Sequence, residues 1–188
     1  MAVFVREVAK RVFAQEFNES NLTFKDADEQ YSPQYLLTPT GAKVNRLFIV
    51  GTLTEKEDIG TDTEYWRGRV SDPTGSFLVY AGQYQPEAAQ VIVECETPSF
   101  VAIIGKASTY TAGDGDVLTS VRPESIQVLD GETRDIWVLD TAKHTLDRIN
   151  ALKSTEPNSV KAKEHYNPDV NHYRGMVLQA LRSLKETD

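Results

Sequence analysis

The sequence has little that would support a disulfide, a metal centre or a membrane span. Its 188 residues include one cysteine, Cys95, which excludes an intramolecular disulfide and a zinc site of the CxxC type. No run approaches the ~18 apolar residues of a membrane helix, and no charged start followed by an apolar stretch indicates a secretory leader. We therefore expect a soluble, cytoplasmic protein without a metal or a cofactor.

Patterns typical of catalysis are also scarce. The three histidines all lie beyond residue 143, far in sequence from Cys95, so no activated cysteine nucleophile is indicated. Gly113 and Gly115 flank an aspartate, which is typical of a hairpin turn and would repel a phosphate. The sequence predicts a protein that is not an enzyme.

The charge balance is acidic. The chain has 28 acidic and 20 basic residues, a formal net charge of −8, whereas domains that coat nucleic acid by bulk electrostatics carry a basic excess. Any binding to nucleic acid must therefore be local. An acidic surface that merely keeps the protein in solution is an equally good explanation of this charge.

What the sequence does contain is three consecutive strand patterns. Residues 46–53 are apolar and β-branched, residues 64–70 alternate strictly, and residues 75–81 follow a tight Asp-Pro-Thr-Gly turn. The acidic residues between the first two patterns, from Glu55 to Glu64, are predicted to form a solvated loop that repels DNA at one end.

Two further strands complete the pattern. A short helix is predicted to begin at Pro86, and strands at 99–110 and 117–128 enclose the glycine hairpin. Three strands, one helix and two strands are the order of a five-stranded OB-fold Greek-key barrel. We expect a mainly β fold with this barrel at residues 45–130.

The middle strand carries the candidate binding residues. Its period of two places Trp66 on the core face and places Tyr65, Arg67 and Arg69 on the outer face, which Tyr80 of the next strand shares. Flat rings beside guanidinium groups are what single-stranded nucleic acid requires. The alternative is an ordinary solvated strand face with cross-strand pairs.

Residues 1–44 are predicted to form an arm. An amphipathic helix is indicated by apolar residues at helical spacing: Val5, Val8, Ala9, Val12 and Phe13. A strand near residues 35–38, followed by a Pro-Thr-Gly turn, is expected to add a hairpin strand to the barrel.

Beyond the barrel the periodicity changes to about 3.6, which predicts a long amphipathic helix over 133–153 within the segment 131–155. Its apolar stripe is wider than a small barrel covers, so we expect a subunit interface at Ile136, Leu139, Leu146, Ile149 and Leu152. Residues 156–188 are predicted to form a linker and then a helix that begins near Asp169. We expect the partner to be another OB-fold subunit or a second copy of the chain.

Several motifs in this order of elements are distinctive: Val50-Gly51-Thr52-Leu53, the hairpin Val70-Ser71-Asp72-Pro73-Thr74-Gly75, Ile104-Gly105-Lys106, and the segments 64–69 and 80–86. Together these motifs resemble the middle subunit of replication protein A and, more closely, the archaeal single-barrel proteins associated with replication protein A. The resemblance extends over nearly the whole chain.

This resemblance implies a non-catalytic subunit of a single-stranded DNA-binding complex that acts in replication, repair and recombination. The stacking aromatics of that family correspond here to Tyr80 and Tyr110, and Lys106 is a candidate phosphate contact. The long helix would pack against sister subunits. The alternative is an adaptor subunit whose barrel assembles with a DNA-binding partner and contacts DNA little itself.

Overall fold

The computed structural model describes residues 7–185. In chain order its elements are α1 (Ala14–Asn18), β1 (Leu22–Lys25), β2 (Gln34–Leu37), β3 (Lys43–Val44), β4 (Arg46–Asp58), β5 (Trp66–Asp72), β6 (Gly75–Ala81), α2 (Pro86–Glu94), β7 (Ser99–Thr111), β8 (Val117–Val128), α3 (Gly131–Ala151), α4 (Pro157–Tyr166) and α5 (Val170–Ser183). No helix in this part of the chain is long and apolar enough to cross a membrane.

The five strands β4 to β8 close into a barrel in the order β4-β5-β6-β8-β7. Neighbours are antiparallel except β6 and β8, which pair in parallel at Val79 and Val121. With α2 between β6 and β7, this is the topology of an OB fold and confirms the predicted fold class. The alternating sequence pattern explains the strands locally, because it places Phe77, Val79 and Ala81 of β6 in the buried core.

The barrel closes because β4 pairs with two neighbouring strands. Its first half pairs with β7 and its second half pairs with β5, with a register shift between Leu53 and Glu55. At Gly51 a Cβ would lie 2.5 Å from the carbonyl oxygen of Ser71. A residue with a side chain would push the two strands apart, so glycine is required where β4 curls.

The predicted helix near the N-terminus is wrong for residues 7–13, and Val5 lies outside the described residues. Val8 is exposed, and Lys10 forms a parallel bridge with Leu47 of β4. The helix α1 starts only at Ala14, whose N–H donates to Asp72 Oδ2 at 2.7 Å. The helix begins there because a cap from the β5–β6 turn satisfies its free N–H.

The strand predicted near residue 35 is present as β2, but it does not extend the barrel. It belongs to a separate three-stranded sheet in the order β1-β2-β3. Leu36, Leu37 and Val44 of this sheet are buried, and the hydroxyl of Tyr166 in α4 donates to the carbonyl of Leu37. Leu36 and Val44 belong to the main core that includes the barrel, whereas Leu37 packs with Leu152 and Ala162 of the helical part. The barrel and the helical part therefore both support this sheet.

The helix α3 packs on the barrel. Its Trp137 is buried, donates from Nε1 to the carbonyl of Phe48 at 2.9 Å and meets the ring of Phe13 edge-on. At the other end of α3, Arg148 Nε donates to Thr40 Oγ1 at 2.9 Å, and that hydroxyl donates to the fully buried Glu16. The arm and α3 are thus joined by packing and by a buried polar network.

Two expectations about the C-terminal part need correction. Ile149 and Leu152 are buried within the chain, so they are not available to a partner subunit, whereas Ile136, Leu139 and Leu146 remain exposed. The α5 helix packs along α3 and covers part of the apolar stripe. In addition, the segment expected to be a linker contains the helix α4.

Candidate nucleic-acid interface

Tyr65 and Tyr80 lie together on the outer barrel wall, where β5 begins and β6 ends. Their rings stack with centroids 5.9 Å apart and planes inclined by 19°. Tyr65 is 42% exposed and Tyr80 is half-buried. An exposed ring supported from below by another ring is a suitable platform for an unpaired base.

The position of Tyr65 is fixed by its loop and by a glycine. Asp58 Oδ1 accepts hydrogen bonds from the N–H groups of Tyr65 at 3.1 Å and Gly60 at 3.0 Å. These two bonds, the one from Tyr65 first, lower the pKa of Asp58. At Gly82 a Cβ would lie 2.7 Å from Tyr65 Cδ2. The ring can therefore rest against β6 only because residue 82 has no side chain.

Arg67 and Arg69 lie beside the two rings, as expected, but each is paired with a carboxylate. Arg67 Nη2 lies 2.6 Å from Glu57 Oε2, and Arg69 Nε lies 3.3 Å from Glu55 Oε2. The two glutamates are the direct cross-strand neighbours of the arginines. They belong to β4, so the acidic loop is shorter than expected, and its first glutamates neutralise the arginines. We call Tyr65, Tyr80, Arg67 and Arg69 the tyrosine wall.

The other two predicted contacts, Lys106 and Tyr110, lie apart from the tyrosine wall. Both are on β7, which pairs with β4 and β8 and not with β5 or β6. Tyr110 is 68% exposed at the end of the β7–β8 hairpin, opposite the exposed Leu118. The structure thus joins four of the six predicted residues in one patch.

Lys106 belongs to a different group, which we call the basic row: Arg46, Lys106 and Arg122. These residues are direct neighbours across β4, β7 and β8 and therefore share one face of the sheet. Arg46 is engaged in a two-pronged pair with Glu124, at 2.8 and 2.9 Å. Lys106 and Arg122 are exposed, and within residues 7–185 neither side chain has an ion-pair partner.

Three grooves connect these groups, apart from one of about 270 Å³ that Arg67 and Arg69 line. One of about 560 Å³ lies between the basic row and Tyr31, and a second of about 620 Å³ lies between the same row and Tyr84. A third, of about 410 Å³, extends from Tyr84 to Tyr65. Tyr31 and Tyr84 are 90% and 84% exposed.

Sequence reasoning missed Arg122, Tyr31 and Tyr84. Arg122 could have been found by laying the two strands of the β7–β8 hairpin in register, which places it opposite Lys106. Tyr31 and Tyr84 lie in segments outside the strands. No period of two assigns them a face, so the sequence offered no comparable signal for them.

No family model matches this sequence, and no curated protein matches it. Among solved structures, the mitochondrial single-stranded DNA-binding protein Rim1 of S. cerevisiae is similar at 20% identity and a TM-score of 0.37, over 46% of this chain and 95% of that chain. The protein SSBb of Mycobacterium smegmatis is similar at 15% identity and a TM-score of 0.39, over 45% of this chain and 86% of that chain.

The OBody NL8, solved bound to hen egg-white lysozyme, is similar at 18% identity and a TM-score of 0.38, over 45% of this chain and 93% of that chain. At these scores the assignment of the OB fold rests on the strand order and closure of the barrel itself.

Proposed function

We propose that this protein binds single-stranded DNA through the tyrosine wall and has no catalytic role. The observation that carries the proposal is the stacked pair of Tyr65 and Tyr80 on the outside of an OB barrel, with one ring open to solvent. Bases of any sequence can stack on this pair, so we expect binding with little sequence preference.

The expected affinity of this surface is weak. Each stacked base contributes about 1 to 3 kcal/mol, and the wall offers few rings. The arginines of the wall add little affinity, because each must exchange its ion pair with a glutamate for an ion pair with a phosphate. Strong binding would require linkage to further barrels, which raises the effective concentration of the second contact.

We infer that such linkage comes from assembly into a complex like replication protein A, with roles in replication, repair and recombination. The motif resemblance supports this, as do the exposed apolar residues on α3. Those residues are three of the five expected from the sequence: Ile136, Leu139 and Leu146. The sister subunit would be another OB-fold protein or a second copy of this chain.

The second candidate function is that of an adaptor that assembles with a DNA-binding partner. It is favoured by the neutralised Arg67 and Arg69 and by the net charge of −8. Under this hypothesis the exposed part of α3 is the main functional surface. The isolated chain would then bind no oligonucleotide, while its complex purified from the native host would bind.

Titration of a fluorescent oligothymidylate with the isolated chain tests the proposal. We expect Tyr65→Ala with Tyr80→Ala to weaken binding by about 2 kcal/mol or more, which is roughly thirtyfold. The matched variant Tyr65→Phe with Tyr80→Phe keeps both rings and should bind like the native chain. Thermal unfolding of each variant controls for stability. Equal binding by the alanine and native proteins would refute the proposed surface.

A further inference from the structure

We propose that the DNA strand bound at the tyrosine wall continues over Tyr84 onto the basic row, where Lys106 and Arg122 hold its phosphates. This inference rests on the proposed function, because it extends the path of the same ligand. It adds a second contact surface on the β4, β7 and β8 side of the barrel, away from β5 and β6.

The charges of the basic row are not balanced within the described part of the chain. Lys106 and Arg122 lie directly opposite each other on antiparallel strands, and like charges in that arrangement destabilise a sheet. Two nearby carboxylates are engaged elsewhere: Glu124 pairs with Arg46, and Glu7 accepts a hydrogen bond from a tyrosine hydroxyl. Although the chain has 28 acidic residues, two adjacent cations have no ion-pair partner among residues 7–185. A bound anion would relieve their repulsion.

The three grooves form a continuous surface. The first two grooves share all three residues of the basic row, and the second and third share Tyr84 and Gln85. A single path therefore joins Tyr65 to the row. Glu87 and Glu124 also border the second groove, so phosphates are expected to contact the Lys106 and Arg122 side of it.

The aromatic rings beside the basic row favour a single strand as the ligand. Exposed tyrosines stand at both ends of the basic row, Tyr84 on one side and Tyr31 on the other. Alternating rings and cations fit a chain of unpaired bases and phosphates. Inorganic phosphate would use only the cations, and a duplex would keep its base faces stacked inside.

The test compares oligothymidylates of about 5 and about 15 nucleotides, lengths within the range that one OB fold contacts. Lys106→Ala with Arg122→Ala should leave the short oligonucleotide unaffected and weaken the long one about tenfold at about 0.1 M salt. The slope of log K against log salt should fall by about 1.4 for the long oligonucleotide, because each phosphate contact to a single strand contributes about 0.7.

The matched control is Lys153→Ala with Arg174→Ala. It removes the same charge from two exposed positions that lie in the helical part and border none of the three grooves. Tyr84→Ala, at an exposed position, should also weaken only the long oligonucleotide. A duplex of equal length and inorganic phosphate, used as competitors, should displace the long single strand poorly.

The outcomes separate the two proposals. If the row variant binds the long oligonucleotide like the control variant, the path is wrong while the tyrosine wall stands. If the row variant weakens short and long oligonucleotides equally, the row is not a continuation of the wall and the path is also wrong. If the native chain binds neither length, the proposed function fails and the path fails with it.

Discussion

The tyrosine wall and the basic row lie on the same barrel and both present cations to solvent, but their charges are balanced differently. In the wall, Arg67 and Arg69 each have a glutamate on the adjacent strand. In the row, among residues 7–185, Arg46 alone pairs with a carboxylate, that of Glu124 on β8. The wall has stacked rings within it, whereas the row has single rings at its two ends.

This difference shows that the number of arginines on a strand does not measure its attraction for phosphate. An exposed ion pair contributes only about 0 to 1 kcal/mol to stability, so the pairs of the wall are easily exchanged, but each exchange leaves a glutamate next to the DNA. We therefore assign stacking to the wall and charge to the row. Substitutions that change only stacking or only charge, in only one of the two regions, test this assignment.

The largest effect is expected from removing the acidic partners of the wall. Glu55→Gln with Glu57→Gln should strengthen binding of a short oligonucleotide about tenfold at about 0.1 M salt, because two guanidinium groups become available to phosphates. The salt slope should rise by about 1.4 for the same reason. Fluorescence titration over a range of salt concentrations measures both quantities.

The control for this change is Glu29→Gln with Glu164→Gln. It changes the net charge by the same amount, at exposed positions away from the wall. If this control strengthens binding as much, the effect comes from overall charge and the glutamates of β4 have no special part. Unchanged binding in both variants would show that Arg67 and Arg69 do not meet the DNA.

A smaller effect is expected when the support of Tyr65 is altered. Gly82→Ala places a methyl group 2.7 Å from the native position of Tyr65 Cδ2, so the ring must leave its stack on Tyr80. We expect roughly five- to tenfold weaker binding, which corresponds to the lower part of the range for one stacked base, with little change in thermal stability. Loss of the ring-current shifts between the two tyrosines in NMR spectra would report the movement.

Gly175→Ala is the matched control, since a Cβ there meets nothing within 4 Å. It lies within α5, where alanine should raise the free energy of unfolding by about 0.5 to 1 kcal/mol. Binding should be unaffected. Equal binding by the Gly82 variant and this control would mean that the Tyr65 stack is not needed.

The smallest effect is the pH dependence of the loop that holds Tyr65. The pKa of Asp58 is lowered by the hydrogen bonds from Tyr65 and Gly60, so its contribution to stability is complete above the ordinary aspartate value of about 3.9. It is lost as pH falls through the lower pKa of the folded state. The amide resonance of Tyr65 should shift with a midpoint below about 3.9.

Asp58→Asn should abolish that titration while leaving the neutral-pH spectrum of the barrel in place. A midpoint for Tyr65 at or above the ordinary aspartate value would contradict the assigned role of Asp58.

The barrel was predictable because its strands carry their pattern locally. Alternation alone placed Tyr65 and Tyr80 outside, and the structure confirms this. The same alternation accounts for the burial of Phe77 and Val79 in β6. The start of α1 was not predictable in this way. Its cap is Asp72, 58 positions away in sequence, so helical spacing upstream of Ala14 was misleading.

The site was only half predictable for a related reason. Tyr65, Arg67 and Arg69 share a face by local alternation, but their glutamate partners depend on the register between β4 and β5. The basic row depends on two registers at once, because Arg46 is far in sequence from Lys106 and Arg122. The pairing register of the strands decides which side chains are neighbours across a closed barrel. A single sequence does not show that register.

The most direct measurement is an NMR titration of the isotope-labelled chain with an oligothymidylate of about 15 nucleotides. The account predicts that amide shifts concentrate at the ends of β5 and β6, around Tyr65, Tyr80 and Gly82, and extend to Lys106 and Arg122. Shifts confined to α3 or scattered without relation to these residues would contradict it.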